Sequence, residues 1–427
     1  MKHPTGAIAL AGNCLGMFKL PEEVAFTIAR GAGARIWDTE GREFYDYVMG
    51  SGPMALGHAH PRVVAAICEQ AARGTHYYHV NERAQQLAER VCRLVPCAES
   101  VKFCSDGSEA TFYALRLARA FTRRSKIVKF NGAYHGHHDY AKQVLKTGHG
   151  VNDHQSIPES AGIPPEISAT VVIAPYNDIE GTRRLLAPIA TEIAAIIVEP
   201  VQRGFMPAPG FLDGLRVLAD GIGALLVFDE VVTGFRLALG GGQEMFGVTP
   251  DLCALGKILG GGLALAAVAG RRDVLELTIP GRPDDGRSVS MTGTLNGNPL
   301  GCAAGLATLD VIEEEGVPAI LRDKGLKLGA GLADAANKLS IPFLTIGAPA
   351  FQQVVFGEGP VDNAEAHSRT NLTAARRFGI ELVRRGVLVV PGSKLYMSIA
   401  HDDSTHGAFL DAATNAMRAI RDQGLLN

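Results

Sequence analysis

Lys257 is the residue of this sequence with the clearest potential for covalent chemistry. It is the only lysine between Lys146 and Lys324, and it follows the apolar run Leu-Cys-Ala-Leu-Gly and precedes three glycines at 260–262. An amine with a pKa of about 10.4 is almost fully protonated at pH 7, but burial lowers that pKa and frees the amine for imine formation. The alternative interpretation is an ordinary lysine that caps a helix or strand end before a glycine turn.

A carboxylate at the end of an apolar stretch is the second candidate. Residues 224–228 are continuously apolar, as in a buried strand, and Asp229 and Glu230 follow them directly. Open α/β sheets bind ligands at the carboxyl ends of their strands. Pyridoxal phosphate chemistry needs a lysine for the aldehyde and a carboxylate for the ring nitrogen, and Lys257 and Asp229 meet both needs. Alternatively, Asp229 and Glu230 cap a turn or form a salt bridge.

A third pattern could bind the phosphate of such a cofactor. Residues 101–104 have the composition of a strand, residues 105–110 read Ser-Asp-Gly-Ser-Glu-Ala, and the apolar residues that follow have helical spacing. Backbone N–H groups at a helix N-terminus bind anions, Gly107 lets the backbone approach closely, and Ser108 adds a hydroxyl. The motif alone is also typical of an ordinary helix cap.

Taken together, these residues resemble the class III aminotransferases of the fold-type I pyridoxal phosphate enzymes, and within them the glutamate-1-semialdehyde aminomutase branch. The resemblance extends from about Ile36 to His401. Its motifs lie at residues 38–41, 52–61, 107–110, 129–136, 199–200, 228–231, 256–257, 293–299 and 396–401. It implies an α/β fold with a large domain built on a mainly parallel, seven-stranded sheet and a small α+β domain formed from both termini.

The resemblance also implies roles for individual residues. Pyridoxal 5′-phosphate would be the cofactor, Lys257 would form the imine and move the proton, and Asp229 would pair with the ring nitrogen. The remaining residues implied to contact the cofactor are Gly107 and Ser108 at the phosphate, Tyr134 and Val231 on the two ring faces, His135 and Glu199 nearby, and Thr294 from the neighbouring subunit. A homodimer follows from the role of Thr294, and no metal is implied.

This sequence departs from the branch in the substrate pocket. Ser51 stands where the aminomutases carry a tryptophan, and the only tryptophan here is Trp37. A rough alignment puts Met17 where they carry an arginine for the substrate carboxylate. Asp106 replaces a more usual serine beside the phosphate turn, where it would repel an anion unless it points away or caps the helix.

These departures favour an aminotransferase that moves an amino group from an amino acid or amine donor to a keto or aldehyde acceptor. The alternative is an intramolecular 2,1-aminomutase, and a racemase or epimerase is the third reading. A hydrolase built on a metal bound by His135, His137, His138 and Asp139 lacks a second ligand cluster in the sequence. The glycine spacing argues against a nicotinamide enzyme, and no serine has the flanks of a nucleophile elbow.

The elements that must position these residues alternate along the chain. Strands are predicted at 127–130, 170–174, 195–198 and 225–228, with helical segments between them, which favours a mainly parallel, covered sheet. Residues 38–41 form a turn signal between two strand-like runs, and helices are predicted after Asn298 and at 407–422. We expect an N-terminal segment of the small domain at 1–55, a large cofactor-binding domain at 56–310 and the C-terminal small domain at 311–427. Residues 147–166 are predicted to form a loop.

Composition agrees with an enzyme that acts on small molecules. The chain has 427 residues, of which 47% are hydrophobic, and its net charge of −3 gives no basic excess for nucleic acid. Seven cysteines without a CxxC pair favour reduced thiols in a cytoplasmic protein. Neither a transmembrane segment nor a signal peptide is predicted.

Overall fold

The computed structural model describes residues 20–145, 156–281 and 285–426. The strands of this part of the chain are β1 (Ile28–Ala32), β2 (Arg35–Asp38), β3 (Glu43–Asp46), β4 (Ser100–Cys104), β5 (Lys126–Phe130), β6 (Gln143–Leu145), β7 (Ser156–Pro158), β8 (Val171–Ala174), β9 (Ile193–Val198), β10 (Leu225–Asp229), β11 (Leu252–Leu255), β12 (Ala266–Gly270), β13 (Phe343–Ala348), β14 (Phe351–Phe356), β15 (Val387–Leu388) and β16 (Lys394–Tyr396). Four sheets are built from them.

Helices cover and connect these sheets. The α-helices are α1 (Pro61–Arg73), α2 (Glu82–Leu94), α3 (Gly107–Thr122), α4 (Pro165–Ser168), α5 (Ile179–Leu186), α6 (Phe211–Ile222), α7 (Gly241–Phe246), α8 (Arg272–Leu275), α9 (Pro299–Glu315), α10 (Val317–Lys338), α11 (Ala364–Ser368), α12 (Leu372–Arg384) and α13 (Asp403–Asp422). Short 3₁₀ helices lie at Glu22–Val24, Met49–Ser51, Ala187–Glu192, Lys257–Gly260 and Glu276–Thr278.

The central sheet has seven strands in the order β4-β12-β11-β10-β9-β5-β8. Strand β12 runs antiparallel to both of its neighbours, and the pairs from β11 to β8 are parallel. This architecture confirms the predicted mainly parallel, seven-stranded sheet. All residues of β9 and β10 are buried, which explains why their sequences are continuously apolar rather than alternating.

The two faces of this sheet belong to different apolar clusters. Ile197 and Val227 pack with α3, whereas Val198 and Phe228 belong to the cluster that includes α6. Successive side chains of a strand point to opposite faces, so each strand contributes to both clusters. With helices on both sides, the carboxyl edge of the parallel strands is the place where polar side chains can gather.

Smaller sheets flank that edge. Strands β1, β2 and β3 form an antiparallel meander, and the parallel pairing of β15 with β3 joins the C-terminal part of the chain to the N-terminal hairpin. Strands β13, β14 and β16 form a second antiparallel sheet. The expected domain limits at 55/56 and 310/311 stay predictions.

The predicted loop at 147–166 is only partly described, since residues 146–155 lie outside the described part. Within it, Ser156–Pro158 is a strand, β7, which pairs antiparallel with β6. Part of that prediction was therefore wrong, because a short edge strand rich in Ser and Pro gives no clear alternating pattern.

Candidate active site

Lys257 lies just beyond the carboxyl end of β11, in a strained turn. It opens the 3₁₀ helix Lys257–Gly260 with a φ of +50°, which is uncommon for any residue other than glycine. The side chain is partly buried, and its Nζ forms neither a hydrogen bond nor an ion pair with any described residue. Burial lowers the pKa of Lys257, although Tyr396 and Asp229 act in the opposite direction.

Asp229 is brought to the same edge by the pairing of β10 with β11. In this parallel register Asp229 lies opposite Ala254, three residues before Lys257. The carboxylate is 5% exposed. Its Oδ2 lies 2.8 Å from Nδ1 of His135, and its Oδ1 accepts a 3.1 Å hydrogen bond from the backbone N–H of Val231. Asp229 is thus held at the strand tip by two neighbours.

His135 provides one further free polar atom. Its Nε2 is buried and has no hydrogen-bond partner among the described residues. A buried polar atom that lacks a partner is costly, and such sites are usually completed by water or a ligand. The Asp229–His135 pair could therefore be the inner end of a ligand site.

Val231 lies between the turn at residues 105–108 and the segment that carries Lys257. A Cβ placed on Gly107 would lie 2.9 Å from Cγ1 of Val231, and one on Gly256 would lie 3.4 Å from the same atom. The methyl groups of Val231 therefore fill the space between the start of α3 and the residue before Lys257. Glycine at position 107 is what permits this approach.

Helix α3 starts with unused backbone donors. The Asp106 side chain caps the helix by accepting a 2.9 Å hydrogen bond from the N–H of Glu109. In turn, Oε2 of Glu109 accepts a 2.7 Å hydrogen bond from the N–H of Ser105. The two hydrogen bonds together fix the first turn of α3, with Asp106 at the N-cap. The N–H groups of Gly107 and Ser108 have no acceptor within the described residues, so they could bind an anion.

Ser108 is also tied to the segment that carries Tyr134. Its Oγ accepts a 2.8 Å hydrogen bond from the N–H of His137, and a Cβ on Gly136 would lie 2.5 Å from this Oγ. This hydrogen bond holds the turn at residues 105–108 against residues 134–137. The approach is so close that only glycine fits at position 136. The hydroxyl can still donate a hydrogen bond to a ligand.

Tyr134 and Glu199 line the open side of the site. The Tyr134 ring is 47% exposed, and its N–H donates a 3.1 Å hydrogen bond to Oε2 of Glu199, which is 6% exposed and directly follows β9. The guanidinium carbon of Arg203 lies 5.5 Å from the centre of the Tyr134 ring. Lys142 Nζ lies 5.4 Å from the centre of the same ring.

Some of the predicted residues are not brought into this group. Thr294 is exposed in the irregular segment before α9, and no described contact links it to Lys257 or Asp229. Trp37 lies in β2 with the Arg30 guanidinium 3.5 Å above its ring centre. Met17 lies outside the described residues. Ser51 is exposed and directly precedes Gly52, which borders Lys257.

Two residues that the sequence interpretation missed lie at this edge, Tyr396 and Lys394 of β16. A Cβ on Gly52 would lie 3.1 Å from Cε1 of Tyr396 and 3.4 Å from Cδ of Lys257, so both side chains converge on Gly52. Lys394 is 6% exposed. In the sequence Lys394 follows Gly392 and Ser393, a context typical of a surface turn, so it gave no signal of burial.

The histidine-rich segment has other partners. His138 Nε2 lies 3.2 Å from the Thr111 hydroxyl, and burial lowers the pKa of His138 to about 3. Across the described ranges, no group of three or more His, Cys, Asp or Glu side chains is arranged to hold a metal ion. None of the helices in those ranges is long and apolar enough to cross a bilayer.

Comparison with known proteins gives consistent matches. The family model for aminotransferase class-III matches residues 19–344. Glutamate-1-semialdehyde 2,1-aminomutase 2 of Brevibacillus brevis is 41% identical over 92% of this chain and 90% of its own length. An ω-transaminase from Sphaerobacter thermophilus superimposes with a TM-score of 0.88 at 30% identity, covering 98% of both chains. The FumI protein of a Sphingopyxis species, solved in its PLP internal aldimine form, gives 0.84 at 27% identity, covering 98% and 97%.

Proposed function

This chain belongs to the class-III aminotransferase family, and from that membership we propose that it moves an amino group within one substrate, as a glutamate-1-semialdehyde 2,1-aminomutase does. The enzyme class and the pyridoxal phosphate cofactor follow from the family and the fold. The sequence interpretation put transfer between two substrates first. The 41% identity to an aminomutase over 92% of the chain supports the intramolecular alternative better, and it is the observation that carries this proposal.

The described residues fit this cofactor. Pyridoxal phosphate, when bound, supplies an aldehyde that condenses with amines and a ring that accepts electrons. The free N–H groups of Gly107 and Ser108 would hold the phosphate at the positive end of α3. Tyr134 and Val231 would contact the two faces of the ring, and His135 and Glu199 would complete its surroundings.

Asp229 would hold a proton at the ring nitrogen. The carboxylate already accepts from Val231 N–H and lies 2.8 Å from His135 Nδ1, so its orientation is fixed without help from the ligand. A carboxylate held in a buried position stabilises a positive charge far better than one in water. His135 would thus act as a positioning residue for Asp229.

Lys257 would be the residue that holds the cofactor and then moves the proton. Burial lowers its pKa and so favours the neutral amine, which is the nucleophilic form and also the form that can accept a proton from carbon. Once released from the cofactor, the Lys257 amine would carry that proton between the substrate carbon and the C4′ atom of the cofactor. The lack of any competing hydrogen bond within the described chain leaves Nζ free to do so.

Transfer between two substrates is the second candidate, and Ser51 favours it. A serine where the aminomutase branch carries tryptophan leaves more room beside Gly52, at the point where Tyr396 and Lys257 converge. A wider pocket would let a first product leave and a second substrate enter. The fold likeness to an ω-transaminase is compatible with this reading.

A homodimer also belongs to this proposal. Thr294 and Leu295 are both exposed, Leu295 to 53%, so both are accessible to a second copy of the chain. In that arrangement Thr294 would reach the phosphate of the partner's cofactor.

The reaction is tested by incubating the holoenzyme with glutamate-1-semialdehyde and no added acceptor. A 2,1 shift converts it into 5-amino-4-oxopentanoate with no net change in oxidation state, so this product should accumulate without a keto by-product. Lys257→Ala provides the matched control. If an amino product forms only when a second carbonyl compound is added, and a keto product of the donor is released, the two-substrate reaction replaces this proposal.

A further inference from the structure

Lys394 is a buried cation without a protein partner. Only 6% of it is exposed, and its Nζ forms no hydrogen bond or ion pair with any residue of the described ranges. The nearest groups recorded for Nζ are the rings of Phe351 and Tyr396, whose centres are 5.8 Å away. Burying an unpaired charge costs several kcal/mol, so such a lysine is expected to have a ligand.

The strand register locates Lys394 beside Lys257. In the antiparallel pair β14–β16, Phe351 lies opposite Tyr396 and Gln353 opposite Lys394. Residues two apart in a strand share a face, so Lys394 points to the same side as Tyr396. The Tyr396 ring meets Lys257 at Gly52, and the charge of Lys394 acts on Lys257, so the Lys394 ammonium lies on the side of the reactive amine.

Arg203 approaches the same place from another element. It occupies a tight turn in which the Phe205 N–H donates a 2.7 Å hydrogen bond to the Gln202 carbonyl. A Cβ on Gly204 of this turn would lie 3.2 Å from Oε1 of Gln353, the cross-strand neighbour of Lys394. Apart from its contact with the Tyr134 ring, Arg203 has no partner among the described residues.

The carboxylates in the site are already engaged. Glu199 accepts from the N–H of Tyr134, and Asp229 is held by His135 and Val231. Both influence the charge of Lys394, but neither forms an ion pair with it. Lys394, whose charge acts on Lys257, and Arg203, whose charge acts on Lys394, therefore have no carboxylate of the described protein to neutralise them.

We propose that Lys394 and Arg203 together bind the carboxylate of an anionic substrate whose amino group reacts at Lys257. This inference rests on the proposed amino-group chemistry and names its substrate class, a carboxylate with an amine several carbons away. The two cations would also take the place of the arginine that the aminomutase branch carries where this sequence has Met17. The ammonium donates to one oxygen and the guanidinium to the other, which fixes both the distance and the orientation of the reacting carbon.

The test compares two amines that differ only in the carboxylate, 4-aminobutanoate and 1-aminobutane, titrated into the holoenzyme and followed by the cofactor absorbance. The wild type should bind 4-aminobutanoate more tightly. Lys394→Met should weaken that binding by about 10- to 100-fold, since a hydrogen bond between charged groups is worth about 1.5–3 kcal/mol, and leave 1-aminobutane within about twofold. Arg203→Gln, which alters a half-buried side chain, should act in the same direction.

Two controls separate recognition from structure. Lys142→Met removes a cation that also lies near Tyr134 but has its own partner, Glu159, at 3.1 Å, so it should change neither affinity by more than about twofold. Thermal unfolding should give Lys394→Met a Tm equal to or above that of the wild type, because the variant removes an unpaired buried charge. A purely structural lysine would instead lower the Tm and weaken both amines alike.

The proposal is overturned if the wild type binds the two amines equally, or if Lys394→Met and Arg203→Gln both leave the preference intact. Failure of the proposed function is a separate result. In that case glutamate-1-semialdehyde is not converted, while the carboxylate preference and its loss in Lys394→Met persist.

Discussion

At the scale of single residues, Lys257 has properties that a capping lysine would not need. Its backbone is in the left-handed region, its pKa is lowered by burial, and no described carbonyl accepts a hydrogen bond from its Nζ. Strain of this kind costs about 1–3 kcal/mol and tends to persist where function requires it. The alternative of a lysine that caps a helix or strand end therefore has no contact to support it.

The first prediction concerns the pair Lys257 and Asp229. Lys257→Ala should abolish covalent attachment of the cofactor and lower kcat by at least about 10²- to 10⁴-fold, because both the imine and the proton carrier are lost. Asp229→Asn keeps the shape but not the charge, and should lower kcat by about 10²- to 10³-fold with the cofactor still attached. Borohydride reduction followed by mass spectrometry checks attachment. Retained attachment in Lys257→Ala would mean that another lysine forms the imine.

The second prediction is a pH dependence set by Lys394. Burial lowers the pKa of Lys394 to about 8, and the charged groups that act on it are Arg203, Glu199, Asp229 and Arg236. Since the ammonium is the form that binds a carboxylate, it is about nine-tenths populated at pH 7 and one-tenth at pH 9. The ratio of the 4-aminobutanoate and 1-aminobutane affinities should therefore fall by up to about tenfold over this range.

Lys394→Arg is the matched control for that profile, because a guanidinium keeps its charge throughout the range. Its affinity ratio should stay flat between pH 7 and pH 9. A ratio that falls equally in both proteins would assign the titration to another group. Protonation of the probe amine and of Lys257 changes the affinities for 4-aminobutanoate and 1-aminobutane alike, so their ratio does not depend on it.

The residues of the site differed in how far the sequence could predict them. Lys257 and Asp229 were recognisable because each follows an apolar strand within a short local pattern. Lys394 was not, because its meaning depends on which face of β16 it occupies and on the turn at Arg203, far away in the chain. The roles assigned to Lys257, Asp229 and the seven other predicted cofactor contacts stay predictions.

At the scale of elements, the start of α3 combines a cap with the predicted phosphate site. Asp106 was unexplained by sequence, since a negative charge beside a phosphate is unfavourable. The structure gives it a use, because its Oδ1 caps the N–H of Glu109 while the side chain itself is exposed. If the predicted phosphate site is correct, the Asp106 carboxylate stabilises the helix and weakens phosphate binding at the same position.

The third prediction separates those two effects. Asp106→Ala should lower the free energy of unfolding by about 1 kcal/mol, because the cap is lost. Asp106→Asn keeps a capping oxygen and should be nearly neutral in stability. Both remove the charge, and both should tighten binding of pyridoxal phosphate to the apoenzyme by about two- to fivefold. Chemical denaturation and cofactor titration measure the two quantities, and weaker cofactor binding in both variants would contradict the argument.

The sequence predicted those strands whose own residues form a continuous apolar run. The four predicted strands match β5, β8, β9 and β10 to within two residues at either end, because continuous apolar runs between helices have no other common structure. The sequence did not indicate that β12 inserts antiparallel between β4 and β11. Its residues, Ala-Ala-Val-Ala-Gly, are small and follow the glycines, and strand order is decided by long-range packing.

At the scale of the whole molecule, the site is assembled from distant parts of the chain. Gly52 follows the N-terminal hairpin, Lys257 follows β11 of the central sheet, and Tyr396 ends a strand of the C-terminal region, yet Tyr396 and Lys257 both border Gly52. Arg236, which is fully buried, donates hydrogen bonds to the carbonyls of both Gly52 and Met397. Closing the site therefore requires the N-terminal and C-terminal parts to dock on the sheet together.

The fourth prediction addresses whether a second copy completes each site. If Thr294 acts across the interface, as the family resemblance implies, then Lys257→Ala and Thr294→Arg damage different sites of a mixed dimer. One site combines an intact Lys257 with the intact Thr294 of its partner, and the other has lost both. Random reassociation makes half the dimers mixed, so the mixture should recover about a quarter of wild-type activity.

The outcome depends only on where Thr294 acts. If Thr294 served the cofactor of its own chain, every site of the mixed dimer would carry one damaged residue and mixing would restore nothing. Refolding the two variants separately and then combining them without reassociation gives the baseline. Because Thr294 is exposed and lacks any described contact with Lys257, restored activity is the expected result.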